Sequence, residues 1–226
     1  MAQNKKKVVR VIDCNGGNGN VVARLIREKL AYTVRMANGP KDLSEATHVI
    51  LTGVGATRTI MSSLNSKGLI PKLEKIIFRK GVFFLATGVA MQLLFDESKD
   101  APPGSIVPCL GWLPGTVEKY DTEQPFAPKI GVSGCVFVKE TPITTVNQCE
   151  EFYFHTNGHH VRPSNPSDIW AWADNDVDYV AAVQRDNIYG VQFRMEKGIG
   201  ASRRLLEDFL ELEKEEVKKE AVKKEE

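Results

Sequence analysis

The stretch of this chain best suited to chemistry is Phe84 to Phe95, where an apolar strand passes through one glycine into a helix. Gly81 to Thr87 (GVFFLAT) reads as a buried strand, Gly88 as the joint, and Val89 to Phe95 (VAMQLLF) as the start of the helix. A joint this short is the geometry of a nucleophile elbow. The residue at such a turn faces a cleft above the sheet, where free N–H groups and the helix dipole stabilise a thiolate or an oxyanion. Here that residue is Gly88, which has no side chain, and the nearest hydroxyl belongs to Thr87. The four cysteines, Cys14, Cys109, Cys135 and Cys149, all lie outside the elbow. They form no CxxC pair and have no histidine at zinc-ligand spacing, so they read as reduced, buried thiols and no metal site is expected. His159 and His160 fall in a polar stretch and read as solvated.

The elements around the elbow alternate. Val8 to Asp13 (VVRVID) is a short β-branched run closed by the turn-prone Cys14 to Asn18. Val21 to Leu30 has helical spacing, with Val22, Leu25, Ile26 and Leu30 on one face. Tyr32 to Met36 and Thr47 to Leu51 read as strands, and Leu69 to Phe78 as a helix. Strands alternating with helices predict a parallel sheet covered on both faces. From Pro102 to Gln148 prolines and glycines accumulate, and short runs such as Gly134 to Val138 (GCVFV) predict hairpins beside the main sheet. Val177 to Arg185 and Ile188 to Phe193 predict a hairpin around Asp186-Asn187. Ile199 to Leu212 is an amphipathic helix with Leu205, Leu206, Phe209 and Leu210 facing inward. One domain over residues 1–212 is expected, followed by a Lys/Glu-rich extension over 213–226.

Composition narrows the function classes. Of the 226 residues 42% are hydrophobic and 26% charged, ordinary values for a soluble domain. A net charge of +1 gives no general attraction to nucleic acid or to an acidic membrane. No apolar run approaches the roughly 20 residues that span a bilayer. Met1 to Lys7 is basic and leads into a strand without an apolar leader, so a cytoplasmic protein is expected.

Longer motifs carry a resemblance. Thr52-Gly53-Val54-Gly55, Ala90 to Phe95 (AMQLLF), Phe152 to His155 (FYFH), Ala182-Val183-Gln184 and Tyr189 to Phe193 (YGVQF) occur in this order. Over roughly residues 8 to 212 the chain resembles the class I glutamine amidotransferases, most of all the glutaminase subunit of imidazole glycerol phosphate synthase. The resemblance implies a three-layer, flavodoxin-like α/β fold with a mostly parallel central sheet and a smaller β-rich portion. It implies no cofactor. It also implies a Cys-His-Glu triad, an oxyanion loop at Gly53, Val54 and Gly55, and a substrate pocket that includes Thr87, Gln92 and His155.

The departures fall on the triad. Anchored on Met91-Gln92, the cysteine position holds Gly88; anchored on Gln192-Phe193, the histidine position holds Arg194, followed by Met195. Glu196 keeps the third position. Glycine forms no acyl-enzyme, and arginine stays protonated and is no general base. Loss of one triad member is already nearly as damaging as loss of all. The expected protein is therefore a catalytically inactive relative, a scaffold or regulatory subunit, with an Arg194–Glu196 or Arg194–Asp13 ion pair filling the site. Its expected partner is a cyclase or synthase subunit of (β/α)8 type, although Pro128 to Ser133 keeps only Pro and Gly of the family's partner-facing PHMGWN. An active amidotransferase component of histidine biosynthesis, or a domain sensing a glutamine-like or anionic small molecule, are the alternatives.

Overall fold

The computed structural model describes residues 7–14, 18–29, 32–120, 128–146, 150–174, 179–197 and 200–213. Asn15 to Gly17, Leu30, Cys149, Ile199 and residues 214–226 of the charged extension lie outside the described residues. The chain order is β1 (Val9–Cys14), α1 (Gly19–Lys29), β2 (Val34–Met36), β3 (His48–Gly53), α2 (Thr57–Ser66), α3 (Ile70–Lys80), β4 (Phe83–Gly88) and α4 (Val89–Gln92). It continues with β5 (Glu97–Ser98), β6 (Val107–Pro108), β7 (Gly115–Lys119), β8 (Lys129–Phe137), β9 (Glu151–Asn157) and β10 (His159–Pro163). The last elements are β11 (Ile169–Asp174), β12 (Tyr179–Arg185), β13 (Ile188–Val191) and α5 (Ala201–Glu211).

Nine strands form the main sheet in the order β2-β1-β3-β4-β13-β12-β11-β8-β9, and β10-β7-β5-β6 form a smaller one. The first five run parallel, and β12, β11, β8 and β9 extend them antiparallel. The Gly134 to Phe137 part of the GCVFV run thus continues the main sheet inside β8 rather than lying beside it. Its Cys135 and Phe137 are buried with Trp170 and Tyr153 in the same core, which is why the ladder carries on.

Period-two alternation splits the parallel strands between two cores. Val9, Val11, Ile50, Leu85 and Val191 pack under Val22 and Ile26 of α1 and Leu205, Leu206, Phe209 and Leu210 of α5. Ile12, Val49, Leu51, Phe84 and Ala86 pack under Ile60 and Leu64 of α2, Leu73, Ile76 and Ile77 of α3, and Met91 of α4. The helices therefore cover both faces, which makes three layers. Pro at the start of α3 and the left-handed Gly81 at its end (φ 60°) supply its start and stop signals.

The helix after the elbow is a single turn, shorter than the VAMQLLF run predicts. The carbonyls of Leu93, Leu94 and Phe95 accept instead from Leu110, Gly111, Trp112 and Leu113, so this segment leaves the helix to bind a neighbouring loop. No helix among the described residues is long and apolar enough to cross a membrane.

Candidate functional site

The parallel strands end together at one edge. β3 stops at Gly53, β4 at Gly88, and β13 runs on into Gln192-Phe193-Arg194. In open α/β sheets this carboxyl edge is where ligands bind. A cleft of about 100 Å³ lies there, lined by Asn18, Gly53, Val54, Gly55, Thr87, Gly88, Val89, Thr156, Arg194 and Glu196.

Gly88 holds the joint with φ 63° and ψ −130°, a backbone state that side-chain-bearing residues avoid. The nearest atom to a Cβ built there would be the Gly53 carbonyl oxygen at 3.6 Å, so there is space for a side chain but strain in the backbone. Gly55 (φ 89°) turns the loop after β3 across the mouth of the same cleft.

Arg194 is fixed from three sides. Its backbone N–H donates to the Phe154 carbonyl at 2.9 Å, and the preceding Phe193 ring stacks on Tyr153 at 3.9 Å between centroids. Its Nε donates to Glu196 Oε1 at 2.6 Å, and its Nη2 to Asn18 Oδ1 at 2.7 Å. The Glu196 side chain is 4% exposed against 23% for Arg194, so a nearly buried carboxylate is satisfied by a guanidinium that reaches the cleft. Of the two ion pairs foreseen, the one with Glu196 forms.

A second compartment of about 290 Å³ shares Gly55, Val89 and Thr156 with the first and adds Ala56, Gln92, Asp100, Asn157, Gly158 and His159. Gln92 is 2% exposed, and its amide donates to Gln192 Oε1 at 3.0 Å and to the His159 carbonyl at 3.1 Å. Asp100 accepts from the Thr57 N–H through Oδ2 at 2.8 Å, while its Oδ1 lies 4.0 Å from His159 Nε2.

The structure thus brings Gly53, Val54, Gly55, Thr87, Gly88, Arg194 and Glu196 together and places Gln92 next door. It does not bring His155 to the cleft. That residue is fully buried on the opposite face of β9, edge-on to Tyr179 and Phe193, while the next residue, Thr156, faces the cleft. His159 and His160 are also not solvated loop residues. They lie on β10, partly buried, with His160 stacked on Tyr120 at 4.8 Å.

His155 Nε2 sits 3.6 Å from Cys135 Sγ, a buried thiol–imidazole contact. Burial pushes the Cys135 thiol up, and burial followed by nearby Lys129 holds the His155 imidazole down to about 3. Both stay neutral at physiological pH, and with no solvent access they make a core contact rather than a nucleophilic dyad. Burial also raises Cys14, and pushes Cys109 up to about 12. Among the described residues no cluster of His, Cys, Asp or Glu could hold a metal ion.

Asn18, Thr156 and Asp100 are cleft residues that sequence reasoning did not single out, and His159 is one that it read as solvated. Asn18 stood in a quoted turn without a role. The strand alternation that carries His155 inward necessarily turns Thr156 outward, and that signal was available. Asp100 follows the helix start by too irregular a path to be read locally.

Solved structures share this architecture. A glutamine amidotransferase crystal structure matches with a TM-score of 0.67 at 15% identity, covering 89% of this chain and 97% of that one. The structure of PurLQS from Thermotoga maritima matches at 0.66 and 11% identity, covering 91% and 98%. The fold is that of the glutamine amidotransferases. No family model matches the chain. Imidazole glycerol phosphate synthase subunit HisH of Dehalococcoides mccartyi is 31% identical over 209 residues, 91% of this chain and 97% of that protein. The Leptospira interrogans subunit of the same name is 26% identical over 210 residues, 91% and 100%. The chain belongs to the HisH family, the glutaminase subunits of imidazole glycerol phosphate synthase.

Proposed function

We propose that this chain is a non-hydrolysing member of its family, a scaffold or regulatory subunit that docks on a synthase subunit of (β/α)8 type. The observation that carries the reading is the pair facing the cleft: an elbow glycine with no side chain, and a guanidinium bound to Glu196 and Asn18. Glutamine hydrolysis by a nucleophile needs an attacking atom and a base that takes its proton. Gly88 offers no atom. Arg194 keeps its proton, and no imidazole lines the first compartment. Thr87 lines the cleft, but without a base its hydroxyl is a poor nucleophile.

The docking half of the reading draws on the edge hairpin β8–β9. Ile130 (69% exposed), Val132 (60%) and Phe152 (60%) form an apolar face there. Ile130 pairs across the strands with Thr156, which lines the cleft, so this face adjoins the mouth. Exposed apolar residues grouped beside a cleft are a feature of interaction surfaces.

The test is ammonia release from glutamine by the purified full chain, alone and mixed with an imidazole glycerol phosphate synthase cyclase subunit, with complex formation followed by size-exclusion chromatography. The expected result is co-elution and no ammonia above a no-protein blank. Ammonia release that depends on the chain would sink the non-hydrolysing reading, and separate elution would remove the docking one.

A further inference from the structure

Among the described residues three asparagines stand directly before a glycine: Asn18, Asn38 and Asn157. Such a step is chemically labile, because the next backbone nitrogen can attack the side-chain amide carbon, and a glycine, having no Cβ, leaves that nitrogen open. The side chain must be able to turn onto the following peptide. The three sites differ in this respect.

Asn157 is 4% exposed, and its Nδ2 donates to the Tyr120 hydroxyl at 2.8 Å and to the His159 carbonyl at 3.1 Å. Asn18 is tied through Oδ1 to Arg194, and Gly19 is buried at the start of α1, where an added Cβ would lie 2.6 Å from the Asp13 Cβ. Asn38 has neither restraint. It is exposed, in the connection that follows β2 at the edge of the main sheet, and its side-chain amide makes no hydrogen bond among the described residues. A Cβ built on Gly39 meets nothing within 4 Å, so there is room for a ring to close there.

A base stands beside the reacting nitrogen. The Gly39 N–H donates to Asp42 Oδ2 at 3.0 Å, and the Asn38 N–H donates to the same oxygen at 2.8 Å. These bonds, that of Asn38 first, hold the Asp42 carboxyl below its usual range, so it is ionised at physiological pH. The proton that ring closure must remove from Gly39 therefore already points at a carboxylate oxygen.

We infer that Asn38 is a self-modification site, converting to aspartate and isoaspartate with Asp42 as the proton acceptor. The Gly39 nitrogen gives its proton to Asp42 and bonds to Asn38 Cγ; the Cγ–Nδ2 bond breaks, and the amide nitrogen leaves as ammonia with that proton. A cyclic imide remains. Water then opens it at the side-chain carbonyl, giving aspartate, or at the main-chain carbonyl, giving isoaspartate with the chain routed through the side chain. Either product sets a second carboxylate beside Asp42. Isoaspartate also adds a methylene to the main chain where the Asn38 and Gly39 N–H groups cap the helical turn Pro40–Leu43. The site releases one ammonia per chain and needs no glutamine, so it is distinct from turnover.

The experiment is incubation of the full chain at mildly alkaline pH, folded and in urea, with peptide mapping by mass spectrometry and isoaspartate scored by an isoaspartyl methyltransferase. In the folded chain Asn38 should convert at least about tenfold faster than Asn18 or Asn157, and faster than it does in urea, where Asp42 is not held beside it. Asp42→Asn, which keeps an acceptor but removes the base, should slow conversion by about tenfold, less than a stronger positioned base would give. The ranking of sites uses the unmutated protein and stands even if the variant misfolds. Equal conversion at the three sites, or slower conversion of Asn38 in the folded chain than in urea, overturns the inference. An Asp42→Asn chain that converts as fast as the parent overturns the role of Asp42.

Discussion

Replacing Gly88 by alanine isolates the strain stored at the elbow. The substitution adds one methyl group, and the nearest atom to it is the Gly53 carbonyl oxygen at 3.6 Å, an ordinary contact. Steric overlap is therefore small and the cost is conformational: a non-glycine residue must take φ 63°, ψ −130°. Residues held in such regions cost about 1–3 kcal/mol. For a domain of this size each kcal/mol moves Tm by about 2–4 °C, so Gly88→Ala should lower Tm by about 2–12 °C. Gly39→Ala is the matched control. Its backbone is extended (φ −154°) and a Cβ there meets nothing within 4 Å. Restricting the unfolded chain at such a site stabilises by about 0.4–1 kcal/mol, so the two substitutions should shift Tm in opposite directions. The assay is thermal and urea unfolding of the full chain, followed by circular dichroism. If Gly88→Ala is as stable as the parent while Gly39→Ala behaves as stated, the joint is not a strained elbow.

Acid should destabilise the fold through buried imidazoles. His48 and His155 are both held down to about 3, each chiefly by burial, with Lys7 adding to the effect at His48 and Lys129 at His155. The carbonyls of Leu212 and Phe209 oppose it at His48, although Nε2 makes no hydrogen bond of normal geometry there. Unfolded histidine takes up its proton near 6.5, so stability is full above that pH and falls as pH drops from 6.5 toward 3. The loss is at most about 1.4 kcal/mol per pH unit for each histidine. Urea midpoints measured from pH 7.5 to 4.5 should fall accordingly, and His48→Phe, which keeps the stack on Phe83, should flatten the slope; an unchanged slope refutes the assignment. A third prediction concerns Arg185, whose Nε and Nη2 grip the two oxygens of Asp168. The Asp168 side chain is 2% exposed and that of Arg185 32%. Arg185→Met leaves a buried carboxylate unpaired and should cost about 3–5 kcal/mol. Asp168→Asn, which leaves a cation able to reach water, should cost less in the same urea titration; the reverse order would show that the pair is not governed by desolvation.

The alternating half of the fold was legible because its signals are local. β1, β3, β4, α1, α3 and α5 all lie within two or three residues of their predicted ends, since period-two and period-3.6 patterning need only neighbouring residues. α2 was missed for the opposite reason. Ala56 stands at its N-cap position and gives no local signal, while the group that accepts the Thr57 N–H is Asp100, 43 residues away. The Gly134 to Val138 run was placed beside the sheet because proline and glycine marked its flanks. Its place within the sheet is decided by Cys135 and Phe137 finding Trp170 and Tyr153, contacts that no local pattern encodes.

The same division runs through the site. Gly88, Arg194 and Glu196 were readable because each sits at a fixed offset from a run that also builds a strand end. What the offsets could not supply was the partner geometry: that Arg194 spends one face on Glu196 and Asn18 and keeps the other free, and that Asp100 stands at the far end of the cleft. Sequence told which catalytic groups the elbow lacks, whereas the three-dimensional arrangement tells what remains, a donor-only edge and an acceptor-only edge across one small cleft. On the non-hydrolysing reading proposed above, a site that keeps a donor-only edge and an acceptor-only edge has the chemistry of recognition. That is why ligand affinity, and not residual turnover, is the quantity on which this cleft should be judged.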